Sequence, residues 1–193
     1  HRCLVRNNHN YASMFWLSNS GNAAFNNCEF LNNSGLMGSA ITNGGSGSLV
    51  IKECLFNQNH VTAKGGAVFG AGPISIENSR FQNNTADNQG GAVYCGDGNI
   101  LNCTFIGNTA SEGGALAMDQ ACDVYIENTD FNNNSASIAG PQGFTTSVGS
   151  VNMVCCQAEL SLWEGEGQVT LDNDGCSVIT QHLSLESIKA IFR

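Results

Sequence analysis

Five segments of this chain align over six residues without a gap. They are Cys28-Glu29-Phe30-Leu31-Asn32-Asn33, Cys54-Leu55-Phe56-Asn57-Gln58-Asn59, Ser79-Arg80-Phe81-Gln82-Asn83-Asn84, Cys103-Thr104-Phe105-Ile106-Gly107-Asn108 and Thr129-Asp130-Phe131-Asn132-Asn133-Asn134. A degenerate copy, Cys3-Leu4-Val5-Arg6-Asn7-Asn8, precedes them, with Val5 in the place of Phe. Their closing residues Asn8, Asn33, Asn59, Asn84, Asn108 and Asn134 set a period of roughly 25 residues. A period of that size marks a repeat architecture, and it constrains the fold more than any other feature here.

Two further signatures recur at fixed distance. A Gly-rich tetrapeptide follows Asn33, Asn59, Asn84 and Asn108: Gly38-Ser39-Ala40-Ile41, Gly65-Gly66-Ala67-Val68, Gly90-Gly91-Ala92-Val93 and Gly113-Gly114-Ala115-Leu116. An alternating apolar pair precedes the Cys, Ser or Thr position: Leu49 and Ile51, Ile74 and Ile76, Val124 and Ile126, with Ala23 and Phe25 or Gly98 and Ile100 as weaker versions. Alternation with period two marks a strand with one buried face. The pattern predicts three short strands per copy, each pairing in parallel with its equivalent in the next copy, so that one copy is one coil of a solenoid. The apolar pair ends three residues before the Cys position, an odd step, so the chain must bend between them if both point inward.

Stacked coils turn alignment columns into ladders with the strand spacing of about 4.8 Å. Phe30, Phe56, Phe81, Phe105 and Phe131 become an aromatic spine, each ring contributing on the order of 1.5–3 kcal/mol of burial. Asn33, Asn59, Asn84, Asn108 and Asn134 are expected at a bend, where amides bond both the backbone and their neighbours above and below. The Gly pair marks either a positive φ or a site where a Cβ would strike the next coil. A seventh, eroded coil is placed at Val151, Met153, Cys156 and Ala158. The expectation is an all-β parallel solenoid of about seven coils over residues 1–160, with 161–193 a C-terminal cap or the start of a following element.

The F-x-x-N motif followed by G-G-A-(I/L/V), repeated in tandem, resembles the repeat of the chlamydial polymorphic membrane proteins. The resemblance covers Phe30 to Phe131 well and Val5 to Ala158 loosely. It implies a right-handed parallel β-helix and a surface-exposed, adhesin-type role. It assigns no catalytic residue, and the translocator barrel of that family has no counterpart here. A solenoid scaffold does not by itself fix function.

Apolar residues make up 41% of the chain, which fits a packed core rather than disorder, and only 12% are charged. Seven Lys and Arg against sixteen Asp and Glu give a net charge of −9. Nucleic acid needs clustered cations and is excluded as a partner on this count. The chain has no apolar run long enough to span a bilayer. Beginning at His1, without an initiating Met or a signal-like segment, it reads as a mature product or an excised fragment.

Nine cysteines, with no C-x-x-C and no His beside a Cys pair, point to an oxidising compartment rather than zinc. Cys3, Cys28, Cys54, Cys103 and Cys156 share one inward column with Ser79 and Thr129. They are expected mostly as buried thiols acting as small hydrophobes, although a disulfide between adjacent coils is open to them. Cys95 with Cys122 is the better disulfide candidate, and Cys155 or Cys156 with Cys176 the second. Sequons at Asn32, Asn83, Asn102 and Asn133 are candidate N-glycosylation sites; Asn32, Asn83 and Asn133 occupy one outward column, but so Asn-rich a chain supplies about this many by chance.

Asp172-Asn173-Asp174-Gly175 resembles the opening of a calcium loop, making Asp172 and Asp174 weak metal candidates; the rest of such a loop is absent, and an Asx-rich turn competes. Carboxylates at Asp97, Asp119, Asp123 and Glu112 are the only candidates for a polysaccharide-active enzyme, and no Arg or Lys accompanies them. His9 and His60 share a column two coils apart and read as turn residues. No cofactor is expected. The function expected is a non-enzymatic extracellular or cell-surface module, adhesin-like or structural, whose partners are a surface receptor, a glycan or other copies of itself stacked head to tail in a filament. The alternative is a polysaccharide lyase or hydrolase.

Overall fold

A computed structural model describes residues 3–9, 12–18, 20–118, 122–145, 150–158, 160–165 and 168–173. All strand pairing among them is parallel, and it links each coil to the next. The sheets hold six, seven, seven and five strands, and the solenoid has about six turns of roughly 25 residues. Each coil therefore carries four strands, not the three expected. The paired-apolar sheet runs from Ala23–Asn26 to Gln168–Asp172, the Phe sheet from Cys3–Arg6 to Asp130–Asn132, and the GGA sheet from Phe15–Leu17 to Trp163–Gly165. The additional strands lie between the last two: Ser34–Gly35, His60–Val61, Thr85–Ala86, Thr109–Glu112 and Ser135–Ala139. Most are only two residues long, too short to show an alternation, yet Val61, Ala86 and Ala110 form a small core of their own. Of the eroded coil, Ser150–Val154 pairs fully, whereas the Phe sheet gains a single bridge, Asp130 to Gln157.

The required bend is one residue wide. Asn27, Glu53, Asn78, Asn102, Asn128 and Cys155 all have φ between 47° and 54° and stand between the paired-apolar strand and the Phe strand. A second corner follows the Phe strand, at Asn7, Asn32, Gln58, Asn83, Gly107 and Asn133. Asn is enriched at both because its short amide tolerates the left-handed region. The two glycines of the GGA corner have different roles. Gly90 takes a φ of 66°, and Gly91 lies where a Cβ would overlap the Gly114 carbonyl oxygen of the next coil.

Inside, the Phe rings stack with centroids 4.7 to 5.1 Å apart and planes within 7° of parallel. The amides of Asn33, Asn59, Asn84 and Asn108 are fully used. Asn59 Nδ2 donates to Asn84 Oδ1 (2.9 Å) and to the Phe30 carbonyl (3.0 Å), while its Oδ1 accepts from Asn33 N and Nδ2. Such a ladder satisfies buried polar groups that would otherwise destabilise the core.

Candidate functional site

The Cys column is a hydrogen-bonding column. Cys54 Sγ donates to the Lys52 carbonyl at 3.1 Å, Ser79 Oγ to Glu77 at 2.8 Å, Cys103 Sγ to Leu101 at 3.2 Å and Thr129 Oγ1 to Glu127 at 2.9 Å. Each bond spans the one-residue corner. The same atoms accept from the preceding coil: Cys54 N donates to Ser79 Oγ and Cys103 N to Thr129 Oγ1. This explains why Cys, Ser and Thr exchange in the column, and the thiols contribute more than apolar volume. Burial pushes Cys54 up to about 11 and Cys103 up to about 12.

The disulfide expectations change accordingly. Cys95 and Cys122 are both buried thiols and are not bonded to one another. Cys95 stands in register with Met118, so the neighbouring coil presents a thioether where a bridge would need the second sulfur. Cys156 is also a thiol, whereas Cys155 is disulfide-bonded. Cys176 lies outside the described residues.

Asn32, Asn83, Asn102 and Asn133 are exposed left-handed corner residues. In three of these sequons the middle residue is the inward ladder Asn, so the fold itself produces Asn-Asn-Ser/Thr. Asn32 Nδ2 bonds Asn7 Oδ1 at 3.0 Å, and Asn128 Nδ2 bonds Asn102 Oδ1 at 3.3 Å. In the calcium-like run, Asn173 Oδ1 accepts from Cys156 N at 3.2 Å, which makes it a further rung of the corner column. The backbone carbonyl of Asp172 accepts from Cys155 N, and Asp174 lies outside the described residues. Among the described residues no cluster of three or more His, Cys, Asp or Glu can hold a metal. His9 and His60 flank Ser34 in one column, bonding Ser34 Oγ (2.8 Å) and Asp87 (3.0 Å) respectively.

Two of the four candidate acids meet. Asp97 and Asp123 line a shallow depression of about 410 Å³ on the outer face of the paired-apolar sheet, together with Asn99, Tyr125 and Asn152. Asn99, Tyr125 and Asn152 are successive exposed rungs in register. Asp97 Oδ1 accepts the Asp123 backbone N–H at 2.9 Å, and Asp123 Oδ1 accepts the Ser150 hydroxyl at 2.6 Å. Both carboxylates thereby tie one strand start to the next. Tyr125 donates to Glu127 at 3.2 Å; lost hydration and then that carboxylate raise its phenol above the ordinary range. No basic side chain lines the depression. Glu112 belongs to the short-stranded sheet, where it accepts from Gln89 Nε2 at 2.7 Å, and Asp119 lies outside the described residues. The sequence motifs did not single out Asn99, Tyr125 and Asn152. They occupy the outward phase of the apolar-pair strands, the only signal that could have found them.

No described helix is long and apolar enough to cross a membrane. No curated protein and no solved structure matches the chain. A family model does: that of the right-handed β-helix region matches residues 1–174. With the four parallel sheets and their ladders, this match establishes that the chain belongs to the right-handed β-helix family.

Proposed function

We propose that this chain is a non-enzymatic extracellular or cell-surface β-helix of adhesin type, which binds a glycan through the outer face of its paired-apolar sheet. The observation that carries this is the row Asn99, Tyr125, Asn152 flanked by Asp97 and Asp123. Amides and carboxylates suit sugar hydroxyls, and an exposed aromatic ring offers a face for the apolar side of a sugar. The carboxylates already accept hydrogen bonds within the fold, and no Lys or Arg stands beside them to handle an acidic sugar. That favours binding over turnover. The disulfide at Cys155 supports an oxidising compartment. The resemblance of the tandem motifs to surface adhesin repeats supports the same role.

Binding to a broad glycan panel, and cell attachment with the intact and Tyr125→Ala chains, test the proposal. Retention by at least one glycan, lost on Tyr125→Ala without loss of folding, is expected. Turnover of any panel member, abolished by replacing Asp97 or Asp123, would establish the enzymatic alternative instead.

A structural role through self-stacking is the second reading. Cys3–Arg6, Phe15–Leu17 and Ala23–Asn26 each end their sheet among the described strands, and a free strand edge is a template for further pairing. Electron microscopy at high concentration tests it: filaments are expected, and strictly monomeric particles would remove it.

A further inference from the structure

Cys3 and Cys28 are direct register partners in adjacent parallel strands. Both occupy the inward phase of their strands, as the alternation of burial along Cys3–Arg6 and Cys28–Leu31 shows. Neighbours in a parallel ladder lie about 4.8 Å apart, within the Cα range of a disulfide. Of the seven thiols among the described residues, Cys3 alone is not buried. The pair thus combines a half-buried residue with a partner held in place, since Cys28 Sγ donates to the Asn26 carbonyl at 3.3 Å.

We propose that Cys3 and Cys28 form an oxidation site, at which a small-molecule disulfide converts them into a cross-coil disulfide stapling Cys3–Arg6 to Cys28–Leu31. In the first exchange the Cys3 thiol loses its proton and its sulfur attacks one sulfur of the reagent. The reagent's S–S bond breaks, a mixed disulfide forms on Cys3, and one reagent thiol leaves with the proton. Cys28 then gives up its proton and attacks the Cys3 sulfur, releasing the second reagent thiol. Two protein S–H bonds are lost, one protein S–S bond is formed, and the reagent is reduced by two electrons. Closing the bridge draws the Cβ atoms together by about one ångström relative to the ladder spacing. Cys3–Arg6 can accommodate this because only one side of it is paired among the described strands.

The site is selective by position. Cys28 and Cys54 are also neighbours, but both are buried, which disfavours attack of a reagent on either sulfur. Cys103 has Ser79 and Thr129 above and below it in the column, so no adjacent thiol can resolve a mixed disulfide there.

The test exposes the folded chain to oxidised glutathione, alkylates the remaining thiols, and maps the digest by mass spectrometry. A Cys3–Cys28 cross-linked peptide is expected. It should persist in Cys54→Ser, while Cys28→Ser should stall as a glutathione adduct on Cys3. Amide exchange in Cys3–Arg6 should slow by about tenfold or more on oxidation. A stable adduct on Cys3 of the unaltered chain, a Cys3 bridge between two copies, or exchange unchanged by the cross-link would each overturn the proposal.

Discussion

Trp163 lies edge-on against Phe131, with ring centroids 5.4 Å apart and planes at 84°, and it ends the phenylalanine stack. On its other side Phe131 meets Phe105 nearly parallel, at 7°. The stack is closed in the same manner at its other end, where Phe15 and Phe25 approach Phe30 at 90° and 72°. An edge-on ring presents its positive rim to the last π face, a favourable ending that a further parallel ring would not supply. Trp163 is also fixed by its indole N–H, which donates to Gln142 Oε1 at 3.2 Å, and by Gly143, where a Cβ would overlap the indole. Trp163→Ala should therefore cost about 3–5 kcal/mol, and Trp163→Phe considerably less. Urea midpoints of the two variants check this; equal midpoints would show that the ring does not act as a cap.

The Asn ladder predicts a chemically specific response. Asn84 Oδ1 accepts from Asn59 N and Nδ2, and its Nδ2 donates to the Phe56 carbonyl and to Asn108 Oδ1. Asn84→Ala removes all four bonds and strands buried partners, a loss of about 3 kcal/mol or more. Asn84→Asp keeps the acceptor but turns a carboxylate toward two oxygens. That group is disfavoured in its charged form, so its folded pKa rises above the unfolded value near 4. Between those values the folded variant holds a proton that the unfolded chain has lost. The stability of Asn84→Asp should then fall as pH rises from about 4, which denaturation across pH 4–7 reads directly.

The sequence revealed the interior and concealed the outside. The Phe, Asn and apolar-pair columns were legible because every coil repeats the same burial requirement, and the odd step from Phe25 to Cys28 correctly demanded a bend. The fourth sheet was not legible: strands such as Thr85–Ala86 are too short to alternate and their Ser, Thr and Ala resemble turn residues. The corner chemistry of the Cys column was hidden as well, since a thiol that bonds the carbonyl two residues back has the same spacing as one that merely fills space. Tyr125 and its neighbours carry no motif because outward positions are released from the repeat, and there a binding surface is free to differ from coil to coil.

The glycine pair separates two physical effects in adjacent residues. Gly90→Ala asks an L residue to hold a φ of 66°, a strain of about 1–2 kcal/mol. Gly91→Ala places a methyl group against the Gly114 carbonyl oxygen and also against the Thr109 carbonyl, both backbone atoms that cannot move aside without opening the stack. Gly91→Ala should be the more damaging by at least about 2 kcal/mol, with increased amide exchange in Leu116–Met118 as well as Val93–Cys95. Ser39, at the same place in an earlier coil, shows how a side chain can be tolerated there: its hydroxyl donates to the Gly66 carbonyl at 2.6 Å, turning the close approach into a hydrogen bond. Gly91→Ser should accordingly recover part of what Gly91→Ala loses.

Burial of Cys103 sets an upper pH limit on the fold. Its thiol is raised from 9.0 to about 12, so below pH 9 it is protonated in both states and has no effect on the pH dependence. Between those values the folded chain retains a proton that the unfolded chain releases. Stability then declines with rising pH by up to about 1.4 kcal/mol per unit for this group, until the thiol also ionises in the folded chain. Cys54, raised to about 11, adds to the decline over a narrower window. Cys103→Ser retains a hydroxyl able to donate to the Leu101 carbonyl, as Ser79 does to Glu77 in the same column, but it does not titrate. The variant should match the unaltered chain within about 1 kcal/mol at neutral pH and then lose stability less steeply above about pH 9. Denaturant midpoints at neutral pH and near pH 10 decide the matter. Parallel pH profiles for the two chains would show that ionisation of Cys103 is not what limits the fold.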